Sequence, residues 1–118
     1  MRTLAVVKIE FDGLHCWKDC PIPEVDFLGK EHRHKFYVTV KIGVDHDDRA
    51  VEFFMVKADL NRLIHELYLK TSLGNHILGS RSCEMMAKEI HDGFAPHYNV
   101  LFVSVYEDNE NGAEVEYA

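Results

Sequence analysis

The chain has 118 residues, 47% of them hydrophobic and 28% charged, which is typical of one globular domain over 1–118. Its formal net charge of −7 argues against a nucleic-acid partner or an anionic membrane surface, because phosphate groups favour lysine and arginine. No apolar run approaches the roughly 20 residues of a membrane span, and the charged N-terminus is unlike a signal peptide. The three cysteines lack a disulfide framework, so we expect free thiols and a cytoplasmic protein.

The hydrophobic pattern predicts four strands and two helices. In chain order, these elements are expected over residues 3–11, 34–44, 57–70, 82–93, 100–106 and 113–117, with helices third and fourth. Ser82 is a suitable N-cap for the second helix. Asn111 and Gly112 form a hairpin signal before the last strand. Residues 18–30 and 71–80 show no sustained periodicity and are expected to be loops.

The order of these elements predicts an α+β domain. Both strand pairs can form antiparallel hairpins, and the two helices can cover one face of a combined four-stranded antiparallel sheet. The other face would stay uncovered by this chain, which favours a homo-oligomer.

His32 and His34 begin the clearest strand and are the strongest functional signal. Side chains two residues apart in a strand point to the same face, so both imidazoles can reach one metal ion. A zinc site with an open position needs a third ligand, and His15 at the end of the first apolar run is the best candidate. The alternative is a strand that begins with two surface histidines and binds no metal.

Five short segments carry a resemblance that extends over almost the whole chain. They are Phe11 to His15, His32-Arg33-His34, Val51-Glu52-Phe53 with Lys57, Ser82-Cys83-Glu84, and Val103 to Glu107. Taken in this order, they resemble the 6-pyruvoyltetrahydropterin synthase and 6-carboxytetrahydropterin synthase family, which has the tunnelling fold.

The resemblance implies a lyase that holds zinc (Zn2+) on the three histidines and acts on a pterin-type substrate, 7,8-dihydroneopterin triphosphate. It implies sheets that join between subunits into a barrel, as a trimer or hexamer, with active sites at subunit contacts. Glu107 would accept hydrogen bonds from the pterin, and Ser82 and Cys83 would line the substrate site. Folate, biopterin and deazaguanine (queuosine) synthesis all remain open as pathways.

The chain departs from the family pattern at the catalytic residues. The family's catalytic cysteine lies four to six residues before the histidine pair, where this chain has Asp26 to Leu28. The family's Asp-His pair is half present, as Asn75-His76. His76 is then the candidate general base, with Cys20 and Asp26 as further catalytic candidates. Other groups that could replace the thiol are Cys16, Cys83, Glu24 and Glu31.

Two other functions follow from these departures. One is a non-catalytic tunnelling-fold protein that binds a pterin or purine, or only assembles. The other is an enzyme resembling dihydroneopterin aldolase, with a carboxylate in place of the thiol. Individual residues also have simpler interpretations: Glu107 as a solvated strand end, Cys83 as a small buried residue, and 45–49 as a charged turn.

Overall fold

A computed structural model describes residues 1–117 of the chain. Over these residues the protein is an α+β domain with a five-stranded mixed sheet, two α-helices and one short 3₁₀ helix. The elements are β1 (Thr3–His15), the 3₁₀ helix (Pro23–Gly29), β2 (His32–Val44), α1 (Phe53–Leu67), β3 (His76–Gly79), α2 (Cys83–Phe94), β4 (Val100–Glu107) and β5 (Asn111–Glu116).

The sheet has the strand order β3-β1-β2-β4-β5. The four strands expected from the sequence form its antiparallel part, in which Phe11 lies opposite Phe36 and His15 opposite His32. The prediction of four strands is wrong, because β3 adds a fifth strand parallel to the end of β1. It lies within 71–80, which was expected to be a loop, since four residues are too few to show a strand period.

The hydrophobic core lies between one face of the sheet and both helices, as expected. Alternate β2 residues from Phe36 to Ile42 are almost fully buried on this face. The helices contribute residues at three- and four-residue spacing, namely Val56, Leu60, Ile64, Met86, Ile90 and Phe94. Within residues 1–117, neither helix combines the length and apolar character that a membrane crossing requires.

The first helix begins at Phe53, four residues before the expected Lys57, because Glu52 provides an N-cap that the spacing of the apolar residues does not indicate. The Glu52 carboxylate accepts hydrogen bonds from the backbone N–H groups of Phe54 (3.0 Å) and Met55 (3.1 Å) and therefore caps the helix. Further along the helix, Asp59 accepts a hydrogen bond from the Arg62 side chain at 2.7 Å.

The turn between β4 and β5 lies earlier than the Asn111-Gly112 signal predicted. Asp108 and Asn109 have positive φ angles of 52° and 59°, and the Glu110 N–H donates to the Glu107 carbonyl at 2.9 Å. These features indicate a type I′ turn centred on Asp108 and Asn109. Gly112 belongs to β5, where β4 passes too close for any side chain.

Candidate metal centre

Three histidines meet at one end of the sheet, on its core face, and we call His15, His32 and His34 the histidine cluster. The antiparallel register places His15 directly opposite His32 and Gly13 opposite His34, so the three imidazoles occupy adjacent pleats. Their ring centroids lie 4.7, 5.3 and 5.0 Å apart. The pairing of β1 with β2 therefore brings His15 next to His32 and His34.

Glu107 joins the cluster from β4. The register pairs it with Phe36, which places its side chain on the same core face as the imidazoles. Its Oε2 atom lies 3.3 Å from His15 Nε2 and 2.8 Å from His34 Nε2. One potential ligand atom from each of the four residues lies within 4.8 Å of all the others. The arrangement can hold a metal ion.

Each histidine of the cluster is oriented by an oxygen atom behind it. The Nδ1 atoms of His15, His32 and His34 lie respectively 2.9 Å from the Arg81 carbonyl, 2.8 Å from the Lys30 carbonyl and 2.7 Å from Asp108 Oδ2. Carbonyl and carboxylate oxygens only accept hydrogen bonds, so Nδ1 donates in each case. A neutral imidazole then carries its lone pair on Nε2, and metal-binding histidines usually donate their other ring N–H to an oxygen in this way.

Two hydrogen bonds with the Lys35 backbone fix Asp108 in place. Its N–H donates to the Lys35 carbonyl at 2.7 Å, while its Oδ1 accepts from the Lys35 N–H at 3.0 Å. The hydrogen bond from His34 lowers the pKa of the Asp108 carboxyl, and the bond from Lys35 adds to this effect. The β4–β5 turn thus presents a charged carboxylate to the outer nitrogen of His34.

A cavity of about 400 Å³ opens beside the cluster. His15, His32 and Glu107 form one side of it, and Trp17 and Met85 contribute apolar surface to its walls. A cavity with mixed polar and apolar walls next to potential metal ligands is the usual form of a small-molecule site.

Ser82 and Cys83, both predicted to bind substrate, also line this cavity. The Ser82 hydroxyl accepts from the Met85 N–H at 3.2 Å and caps α2, as expected. Burial raises the pKa of the Cys83 thiol to about 12, and the neighbouring Glu107 carboxylate, which accepts its hydrogen bond, adds to this. Cys83 is therefore a neutral thiol at pH 7.

The three predicted catalytic residues lie apart from the cluster and do not line its cavity. The Cys20 thiol is directed at the Val25 carbonyl, 3.6 Å away within its own loop, and Asp26 is exposed on the 3₁₀ helix. His76 is 3% exposed and donates from Nδ1 to the Tyr68 carbonyl at 2.9 Å. Burial lowers the pKa of His76, which behaves as a satisfied core histidine.

Two residues of the site went unrecognised in the sequence as parts of a metal centre. Glu107 was expected to hold a substrate, yet its carboxylate lies between two imidazoles. The alternation of Val103, Val105 and Glu107 could have placed it on the core face. Asp108 gave no such signal, because its role depends on the turn conformation.

Comparison with known proteins shows a similarity of fold to a solved structure and no match to a known family. Neither the models of known protein families nor curated protein sequences give a match. Among solved structures, the chain is similar to the crystal structure of uncharacterized protein WS1659 from Wolinella succinogenes. The two share 10% sequence identity with a TM-score of 0.69, over 100% of this chain and 99% of the other. At this identity the likeness concerns the fold alone.

Proposed function

We propose that this chain is a zinc-dependent enzyme that acts on the side chain of a reduced pterin, with 7,8-dihydroneopterin triphosphate as the substrate. The proposal is carried by one observation: three imidazoles, each fixed through Nδ1, have ligand atoms within 4.8 Å of one another beside a cavity. We further propose a homo-oligomer of the tunnelling-fold type, a trimer or hexamer, whose mass light scattering would measure.

The donor set suits zinc. Imidazole nitrogen and carboxylate oxygen are ordinary zinc ligands, whereas calcium and magnesium prefer oxygen alone. Two ligand atoms at zinc bonding distance in a tetrahedron lie roughly 3.3–3.5 Å apart. The separation of His15 Nε2 and Glu107 Oε2, 3.3 Å, falls in this range, whereas that of His34 Nε2 and Glu107 Oε2, 2.8 Å, is shorter and is a hydrogen-bond distance. His15, His32 and His34 would hold the ion, with Glu107 beside the remaining position.

The pterin part of the proposal is supported by which segments meet at the cavity. His15, the His32–His34 pair, Ser82-Cys83 and Glu107 come from four separate parts of the chain, and each belongs to a segment that resembles the tetrahydropterin synthases. The antiparallel strands β1, β2, β4 and β5, with two helices between the pairs, also agree with that family's architecture.

The residues around the cavity would have different roles in binding the substrate and in transferring protons. Zinc, when bound, would polarise an oxygen of the substrate side chain. Trp17 and Met85 would pack against the planar ring system, and Ser82 would contact its polar edge. Glu107 can accept a hydrogen bond from a ring N–H group or receive a proton at its free carboxylate oxygen. Because the Cys83 thiol stays protonated, it would act as a hydrogen-bond donor rather than as the base.

Mass spectrometry of the reaction tests this function. Zinc-loaded protein incubated with 7,8-dihydroneopterin triphosphate should give a product that has lost triphosphate or a side-chain fragment. The His32→Ala variant should be inactive, while His46→Ala, at the far end of the sheet, should retain activity. Unaltered substrate in the presence of stoichiometrically bound zinc would contradict the proposal.

A second candidate is a zinc protein that binds a pterin or purine without converting it. The positions of Cys20, Asp26 and His76 away from the cavity favour this reading. Heterocycle binding without turnover, for 7,8-dihydroneopterin as well as its triphosphate, is the result it predicts. Turnover of unphosphorylated 7,8-dihydroneopterin alone would instead support an aldolase-like enzyme.

A further inference from the structure

We propose that Glu89, acting through Arg81, is a positioning residue for the metal ligand His15. The inference rests on the proposed metal-binding function and assigns a role to two charged residues that are themselves not ligands. Among the histidines of the cluster, His15 is the least exposed, at 8%. Its orientation therefore depends on protein atoms more than on water.

The link begins at the Arg81 backbone. Its carbonyl accepts the hydrogen bond from His15 Nδ1 at 2.9 Å and thereby sets both the ring orientation and the tautomer. Arg81 lies between β3 and α2, in a connection of three residues that must fix this carbonyl. The Arg81 N–H donates to the Leu78 carbonyl at 3.2 Å, which holds one side of the peptide.

The Arg81 side chain provides the second anchor. Its Nε lies 2.9 and 3.1 Å from the two carboxylate oxygens of Glu89, and Nη1 donates to the Leu78 carbonyl at 3.1 Å. The guanidinium carbon lies 5.1 Å from the centroid of the Tyr68 ring, within cation–π distance. Glu89 is in turn fixed by the Tyr68 hydroxyl, which donates to its Oε1 at 3.2 Å.

These contacts form a continuous path from α2 to the metal centre. Tyr68 is almost fully buried and Glu89 lies within α2, so together they give Arg81 a defined position. Loss of the Glu89 charge would release the guanidinium and let the connection between β3 and α2 move. The carbonyl that orients His15 would move with it, and metal affinity would fall without loss of a ligand.

The chain contains a matched control for this network. Asp59 on α1 also accepts from a tyrosine hydroxyl, that of Tyr98 at 2.6 Å, and from an arginine, Arg62 at 2.7 Å. The exposures of the two carboxylate side chains are close, 35% for Glu89 and 29% for Asp59. Only the Glu89 network is joined to a residue of the cluster by the hydrogen bonds described above.

The experiment compares Glu89→Gln with Asp59→Asn in the full chain. Zinc dissociation constants are measured by competition with a chromophoric chelator, and the visible spectrum of Co2+-loaded protein reports the ligand geometry. We expect Glu89→Gln to weaken zinc binding about 10-fold and to alter the Co2+ spectrum, in line with other changes behind metal ligands. Asp59→Asn should stay within about twofold of wild type, with an unchanged spectrum.

Thermal unfolding of the zinc-free proteins separates positioning from general destabilisation, since both variants should lower the melting temperature. If Glu89→Gln does not fold, Arg81→Lys, which loses the paired contact to Glu89, is used with the same expected results. Wild-type zinc affinity and an unchanged Co2+ spectrum in the Glu89 or Arg81 variant would overturn the inference. Failure of the wild type itself to bind zinc would overturn the metal centre, and this inference with it.

Discussion

The two ends of the β1–β2 pair carry similar residues but differ in what those residues can do. At one end lie the histidine cluster and Glu107, and at the other the turn 45–49, with the sequence Asp-His-Asp-Asp-Arg. All five residues of that turn are exposed. There the His46 Nδ1 accepts from the Asp48 N–H at 3.3 Å, and the Thr3 hydroxyl donates to Asp47 at 3.3 Å.

The two ends differ in how their imidazoles and carboxylates are held, not in the residue types they contain. At the cluster, strand pleating fixes the direction of each side chain, and an oxygen behind each ring fixes its tautomer. In the turn, binding a metal would require ordering several exposed side chains at an entropic cost. His46 moreover uses its Nδ1 as an acceptor, the reverse of the arrangement in the cluster.

The largest expected effect is the loss of zinc affinity when an imidazole of the cluster is deleted, compared with deletion of the imidazole at the other end of the sheet. His32→Ala removes a ligand and should weaken zinc binding by more than about 100-fold, because changes behind the ligands alone typically cost 10- to 100-fold. His46→Ala should leave zinc binding unchanged. Metal analysis and chelator competition measure both. Equal zinc affinity in the two variants would show that the cluster is not the metal centre.

Asp108→Asn sharpens the comparison by changing the support of one ligand. Zinc affinity should fall roughly 10- to 100-fold, because the charged acceptor behind His34 is lost. Asp47→Asn at the far end is the matched control. The hydrogen bond from His34 lowers the pKa of Asp108 in the folded protein. The charged Asp108 carboxylate therefore stabilises the fold above about pH 3.9, and this stabilisation is lost as the pH falls through the lowered pKa. An Asp108 variant with wild-type affinity would mean that this carboxylate does not support the ligand.

The sequence predicted most of the fold because local periodicity determines most of it. Phe36 to Ile42 alternate as a strand with one buried face must, and the apolar residues of both helices recur every three to four residues. What it missed depends on contacts distant in sequence. Four residues of β3 form a strand only because the end of β1 lies beside them. The early start of α1 is a local exception, since it depends on the Glu52 cap.

In the candidate site, too, local periodicity predicted some residues, while others depend on strand pairing or turn conformation. The His32–His34 pair follows from the two-residue strand period, and His15 was the candidate third ligand because it ends the first apolar run, a choice that the family resemblance supported. Glu107 reaches the cluster only through the pairing of β2 with β4. Asp108 requires a turn with positive φ, which an Asn-Gly signal three residues later concealed. Loop residues such as Cys20 could be judged only once the path of 18–30 was known.

Two glycines test how rigid each end of the sheet is. A Cβ at Gly112, near the cluster, would collide with the Val105 carbonyl oxygen and lie 2.7 Å from Tyr106 Cα, so the backbone would have to move. At Gly43, the Cβ would meet side-chain atoms of Asn99 and Leu101, at 2.7 and 2.8 Å, which can rotate away.

We expect Gly112→Ala to reduce the free energy of unfolding by roughly 1–3 kcal/mol, as overpacking usually does, and Gly43→Ala to reduce it by less. Chemical denaturation of the zinc-free proteins measures the difference. A larger loss for Gly43→Ala would show that the end of the sheet near the cluster is the more adaptable one.

The smallest expected effect is the loss of folding stability at alkaline pH that the buried Cys83 thiol beside Glu107 causes. Burial, and secondarily Glu107, raises the pKa of this thiol to about 12, so the folded protein holds the proton more tightly than the unfolded chain. Its contribution is therefore complete below the pKa of an exposed thiol, about 8.5, and is lost as the pH rises toward 12. Between pH 8 and pH 9.5 the stability advantage of the wild type over Cys83→Ala should shrink by roughly 1 kcal/mol. Cys20→Ala, which alters a thiol outside the cavity, is the control, and a pH-independent difference for Cys83→Ala would show that Cys83 is not desolvated beside Glu107.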